Sequence, residues 1–309
     1  MEKEFKSYHE QVRILKSKGV IINDKEHALH TLKHVGYFAL INGYKKPFKG
    51  SDGNYMSGTT FEDIEQLYQF DETLRTLTLE HILSIERRVK SSIAYHFAHD
   101  FTGKNQYFNV NNYDYNNNDD IPKIQEINRL VSILIGAYND NKHSYIEHYK
   151  KNYSGEIPLW VLINAMTFGQ VSKMYSLLQE GTQQEISGDF HISSQRDMGK
   201  ILNMITLFRN VCAHNERLYD YETRSEVALK YITPYMGNTG YTYEKERKRY
   251  FGLLGCCRTL MQGREGDEFI DQLETFINSA PIIKNQKIGK VILDEMGLTA
   301  DWTKFKKRR

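Results

Sequence analysis

The chain has 309 residues, 40% of them hydrophobic, enough to bury a sizeable core in one large domain or two closely packed ones. Lysine and arginine number 41 against 39 acidic residues, so a net charge of +2 neither demands nor excludes a polyanionic partner, and any nucleic-acid site must come from local clustering. Three cysteines without C-x-x-C spacing, no run of roughly 18 apolar residues, and an opening MEKEFKSYHE without a hydrophobic signal core lead us to expect a soluble protein of the reducing cytoplasm, with no membrane partner.

Phe5, Tyr8, Val12 and Leu15 step at three and four, which predicts a helix that Gly19 ends. Asp24 is placed to cap a second helix, with Ala28, Leu32 and Val35 inside and Gly36 as its stop. Residues 36–60 mix aromatics with glycines and a proline, so an irregular connector with room for a short hairpin is expected before Thr60 caps the next element. From Phe61 to Phe101 no proline or glycine intervenes, and Ile64, Leu67, Leu74, Leu77, Ile85 and Phe97 keep helical phase. This predicts one long helix, or two joined end to end.

Residues 105–120, NQYFNVNNYDYNNNDD, read as a loop. Helices resume at Pro122 and around Tyr145, and from Pro158 to Gly181 with Trp160, Ile163, Val171, Met174 and Leu178 inside. A further helix is predicted from Ser194 to about Leu218, followed by helices near 222–231, 243–262, 267–279 and 287–296. Strand-like alternation is nearly absent, so the class is all-α. The terminal KFKKRR suits phosphate binding by counterion release, and equally suits a solvated tail.

The stretch LFRNVCAHNERL at 207–218 carries the chemistry. Met198, Ile201, Leu202, Ile205, Phe208 and Cys212 form one apolar stripe; Arg209 projects roughly 45° from its centre and His214 roughly 170°. Asn203, Asn210, His214 and Arg217 line the opposite face at spacings of seven, four and three. Arg209 leans toward the core and needs a carboxylate. Glu86 is the preferred partner, and removing Arg209 is then expected to strand a buried charge at a cost of about 3–5 kcal/mol. An imidazole titrating near neutrality suits proton transfer, and a guanidinium suits the stabilisation of developing negative charge. No metal or other cofactor is expected, because H-E-x-x-H is absent and His96 and His99 are two ligands without an evident third. A phosphate-cradling glycine loop is absent as well.

R-N-x-x-x-H at 209–214 matches the R-x4-H form of the HEPN ribonuclease signature. Together with GYFALINGYKKPF at 36–48, GTTFEDIEQLYQFDETLR at 58–75, IERRVK at 85–90 and PLWVLINAMTFGQVSKMY at 158–175, it resembles the Abi-like abortive-infection proteins of the AbiD and AbiF type, over roughly residues 5–235. The resemblance implies a HEPN-type helical bundle with additional N- and C-terminal helices: an N-terminal segment and connector over 1–60, a core over 61–235, and an extension over 236–309. It also implies a metal-independent RNA endonuclease, a toxin of antiphage defence, working as a homodimer and restrained by a neighbouring antitoxin such as a small noncoding RNA. Arg209, His214 and Asn210 fall on the catalytic positions, with Arg217, Asn215, Glu86, Arg87 and Arg88 as RNA-binding or supporting residues. Many relatives carry a second histidine where this chain has Asn215. The alternative is a non-catalytic RNA- or protein-binding module using the same helical face, with Arg209 paired structurally and His214 satisfied.

Overall fold

A computed structural model describes residues 4–115, 120–236, 242–261, 263–298 and 302–306, and its fold is all-α. Helix α1 (Tyr8–Ser17) begins with a capping box between Ser7 and Glu10 and buries Val12 and Leu15. Helix α2 (Lys25–Val35) begins where the Asp24 side chain accepts from the His27 amide, and it stops at Gly36 with φ 86°. The connector then makes a π-helical turn at Phe38–Asn42 and a 3-10 turn at Lys46–Phe48. An isolated bridge between Lys49 and Tyr55 stands where a hairpin was expected.

Helix α3 (Phe61–Asp100) is a single unbroken element of 40 residues, opened by a reciprocal capping box of Thr60 and Asp63. At 1.5 Å per residue it is about 60 Å long, and the rest of the bundle is assembled along it. Helices α4 (Ile121–Asn139), α5 (Ser144–Asn152) and α6 (Leu159–Leu162) follow.

The continuous helix expected from Pro158 to Gly181 is not formed. Met166 turns to extended backbone, and Thr167 starts a new helix, α7 (Phe168–Leu177), through a capping box with Gln170. The break changes the helical phase, which leaves Trp160 57% exposed rather than inside. Gly181 lies within α8 (Glu180–Asp189) rather than at a helix end.

Helix α9 (Gln195–Ala213) starts at Ser194, whose hydroxyl accepts from the Asp197 amide. It runs antiparallel to α3, since Asp71 meets Leu218 while Glu86 meets Arg209. The helix expected over 222–231 is instead irregular, with one 3-10 turn at Leu229–Tyr231. Helices α10 (Thr233–Met236), α11 (Tyr250–Leu260), α12 (Glu265–Ser279), α13 (Pro281–Lys284) and α14 (Gln286–Met296) complete the order.

Burial explains how these last helices attach. Every residue of α11 is buried, the Tyr250 hydroxyl meets Thr78 Oγ1 at 2.7 Å, and Phe276 stacks on Phe70 with ring centroids 4.9 Å apart. Phe305 is fully buried, and Lys306 pairs with Asp271 at 2.6 Å and with Glu274, so the described part of the basic end is held against α12. Lys307, Arg308 and Arg309 lie outside the described residues. No helix among the described residues is long and apolar enough to cross a membrane.

Candidate functional site

The apolar stripe of α9 is buried as its spacing predicts: Met198, Ile201, Leu202, Ile205, Phe208 and Cys212 are all inside. The helix does not continue to Leu218. It ends at Ala213, with His214 as its cap, because Asn215 adopts the left-handed conformation at φ 55°. The Glu216 amide then bonds back to the Val211 carbonyl at 3.0 Å, the long bond of a Schellman stop. Asparagine tolerates this conformation better than most side chains, which gives Asn215 a local structural reason for its place at the helix stop.

A buried polar network fixes the segment beyond this turn. Asp71, fully buried, accepts from the Leu218 amide at 3.0 Å, the Tyr219 amide at 2.7 Å, the Tyr44 hydroxyl at 2.8 Å and Arg75 Nη1 at 2.6 Å. Arg75 Nη1 also donates to the Glu216 carbonyl at 3.3 Å. Burial pushes the Asp71 carboxyl up, against the opposing pull of the Leu218 amide and of Arg75. Neither Arg75 nor Asp71 is among the residues that the sequence analysis names as candidates. The available signal was their i, i+4 spacing in FDETLR, which puts both on one helix face.

His214 is exposed at the end of α9. Its amide bonds to the Asn210 carbonyl at 2.9 Å, while its ring makes no hydrogen bond or ion pair among the described residues. Asn210, one turn earlier, and Asn215, next in sequence, are exposed on either side of it. Arg209 lies on the α3 side, its Nε 3.6 Å from Glu86 Oε2, and neither of these two buried atoms has a hydrogen-bond partner. Glu86 is shared: its Oε1 is 2.8 Å from Lys90 Nζ, and Lys90 also donates to the Met166 carbonyl at 2.9 Å. Arg209 therefore faces Glu86 as expected, but Glu86 does not depend on it alone.

Two expected supporting residues lie elsewhere. Arg217 does not extend the Asn210–His214 line, because the helix has already stopped; it pairs with Asp220 and donates to the Gly43 carbonyl in the connector. Arg88 sits about 200° round the helix from Glu86 and pairs with Glu265 of α12 at 2.8 Å. Arg87 is exposed and without a partner among the described residues, so it remains available on the surface of α3.

Beside the turn, a groove of about 490 Å³ runs between α3 and the end of α9, lined by Thr76, Leu79, Leu83, Ala213 and Asn215 with Glu72 and Glu80. Arg75 also lines it but is engaged by Asp71, so the two glutamates make it a poor seat for a phosphate chain. Burial pushes the Cys212 thiol up to about 12, so it stays protonated near neutrality and is no nucleophile partner for His214.

These features define a helical protein whose candidate chemistry sits where one helix ends on another. The chain belongs to the Abi-like protein family, whose model matches residues 30–220, more than half of its length and all of the α3–α9 seam from Asp71 to Arg217. Comparison with curated proteins and with solved structures gave no match.

Proposed function

We propose that the chain is a metal-independent RNA endonuclease of HEPN type that acts in abortive infection. In this reaction the ribose 2′-oxygen attacks the adjoining phosphorus as its proton leaves, and the bond to the 5′-oxygen breaks as that oxygen gains a proton. The products are a 2′,3′-cyclic phosphate and a 5′-hydroxyl. His214 serves as the proton-transferring group, and Arg209 stabilises the charge gathered on the phosphorus oxygens. Asn210 and Asn215 flank the histidine, Arg87 offers a free cation to the RNA backbone, and Glu86 orients Arg209.

The single observation that carries this reading is the state of the His214 ring, which is exposed and without a hydrogen-bond or ion-pair partner among the described residues. The non-catalytic alternative needs a satisfied histidine at this position. It keeps only the Arg209–Glu86 pair in its favour, and that pair is loose at 3.6 Å.

Arg209 and His214 are five residues apart, about 140° round the helix and about 7.5 Å along it. The stop at Asn215 does not bring them into contact with each other. A two-fold partner apposing the same helix end supplies a second histidine and a second arginine to one phosphate, which is why the active species is proposed as a homodimer. A free nuclease also needs restraint, and a small structured noncoding RNA suits a site that already accepts RNA.

The reading is tested by incubating purified protein with total RNA in EDTA and analysing the ends. Cyclic phosphate ends, together with loss of cutting when the nucleotide at a mapped site is replaced by its 2′-deoxy form, are expected. Efficient cutting of the deoxy substrate contradicts the mechanism. Mixing His214→Ala and Arg209→Ala protomers tests the composite cleft, since recovery of activity requires groups from both chains.

A further inference from the structure

The connector between α2 and α3 is more elaborate than a linker requires. Its π-helical turn buries Leu40 and Ile41 completely yet holds Phe38 out at 80% exposure; such turns are uncommon and concentrate at functional positions. Phe38 borders a pocket of about 590 Å³ between this turn, α1 and the Lys49–Tyr55 bridge, with Tyr37 and Tyr55 completing an aromatic wall. That volume falls within the usual range for small-ligand sites, about 300–1,000 Å³.

Three lysines converge on the same pocket. Lys18, Lys45 and Lys49 have no carboxylate partner among the described residues. Lys45 donates to Asn42 Oδ1 at 2.7 Å, and Lys49 donates to the Gly53 carbonyl at 2.9 Å while lying 3.7 Å over the Tyr55 ring. Glu4 stands at the rim, already paired with Lys6 at 3.0 Å. The pocket thus has unneutralised positive charge set beside the exposed ring of Phe38, the combination that holds a base by stacking and its phosphates by charge. The connector is also tied to the segment that follows the end of α9, because the Gly43 carbonyl accepts from Arg217, three residues beyond His214 in sequence.

We propose that this pocket is a single-stranded RNA-binding site, with a base stacked on Phe38 and the adjoining phosphates on Lys45, Lys49 and Lys18. It rests on the nuclease reading for its purpose, which is to hold the RNA strand next to the end of α9.

The test uses the full-length protein and a fluorescent 12-nucleotide 2′-O-methyl oligouridylate. The probe lacks the attacking 2′-hydroxyl, so binding is read whether or not the chain cuts RNA. Fluorescence anisotropy across a salt series is expected to show Lys45→Glu/Lys49→Glu weakening binding at least tenfold and lowering the salt slope by about 1.4, the share of two single-strand phosphates. Phe38→Ala, at an exposed position, is expected to weaken binding about tenfold with the slope unchanged. Wild-type affinity and slope in both variants, with unaltered melting curves, overturn the proposal. So does competition by polyglutamate as effective as that by RNA, which would mark a site for acidic peptides instead.

Discussion

The seam between α3 and α9 carries an arginine and a carboxylate at each end, and the two ends are built differently. At the Asp71 end the carboxylate is fully buried and accepts from two amides, a tyrosine hydroxyl and Arg75, so its charge is met on every side. At the Glu86 end, Arg209 keeps 27% of its side chain exposed and approaches the carboxylate only to 3.6 Å. The first arrangement holds the chain beyond the helix stop in place. The second leaves the Arg209 guanidinium loosely paired and partly exposed. The Asp71 carboxylate thus has its hydrogen-bond partners inside the seam, whereas Arg209 Nε and Glu86 Oε2, both buried, have none.

The sharpest way to break this comparison is Asp71→Ala. It leaves Arg75 buried without its carboxylate and two amides without an acceptor, so a loss of about 3–5 kcal/mol is expected, read as a fall of about 5–8 °C in Tm. Retention of wild-type stability would show that the network is not what clamps the segment after His214.

Arg209→Ala should behave in the opposite way. Because Lys90 stays on Glu86 at 2.8 Å, the variant is expected to lose no more than about 1 kcal/mol, well below the expectation drawn from the sequence, while RNA cleavage falls by about 10²–10³-fold. Chemical denaturation beside a cleavage assay separates the two readouts. Arg88→Ala removes a half-exposed tie to Glu265, and a change within about 1 kcal/mol in the same denaturation series is expected.

The smallest effect concerns the N-terminal tie. His27 Nε2 lies 2.6 Å from Glu65 Oε2, and this hydrogen bond raises the histidine above its ordinary value of 6.5. A raised folded value means that the contribution is fully present below about pH 6.5 and is lost as pH rises through the higher folded value. With 45% of the ring exposed, solvent screening keeps the effect under about 1 kcal/mol. The stability difference between wild type and His27→Gln should therefore be larger at pH 5.5 than at pH 8.5.

Much of the fold was legible in the sequence because its signals are local. Asp24, Thr60 and Ser194 each stand at the cap that spacing predicts, and the uninterrupted run from Phe61 predicts α3. Two errors came from letting an apolar period override a stop. Thr167 and Gln170 form a capping box within an apparently continuous helix, and Asn215 stops α9 at Ala213, five residues before Leu218. The second error also misplaced Arg217, which belongs to Asp220 and the connector. Glu86 was found as the partner of Arg209 because a core-facing arginine demands a carboxylate. The sharing with Lys90 and the anchoring role of Asp71 depend on which helices meet, and no single segment specifies that.

The most direct measurement is cleavage of a defined RNA by His214→Ala beside wild type, in EDTA and at matched protein stability. The ring is exposed and makes no hydrogen bond or ion pair with a described residue, so the account predicts an unchanged melting curve together with loss of cyclic-phosphate products. Full cleavage by the variant would contradict the assignment of His214 and, with it, the proposed nuclease site.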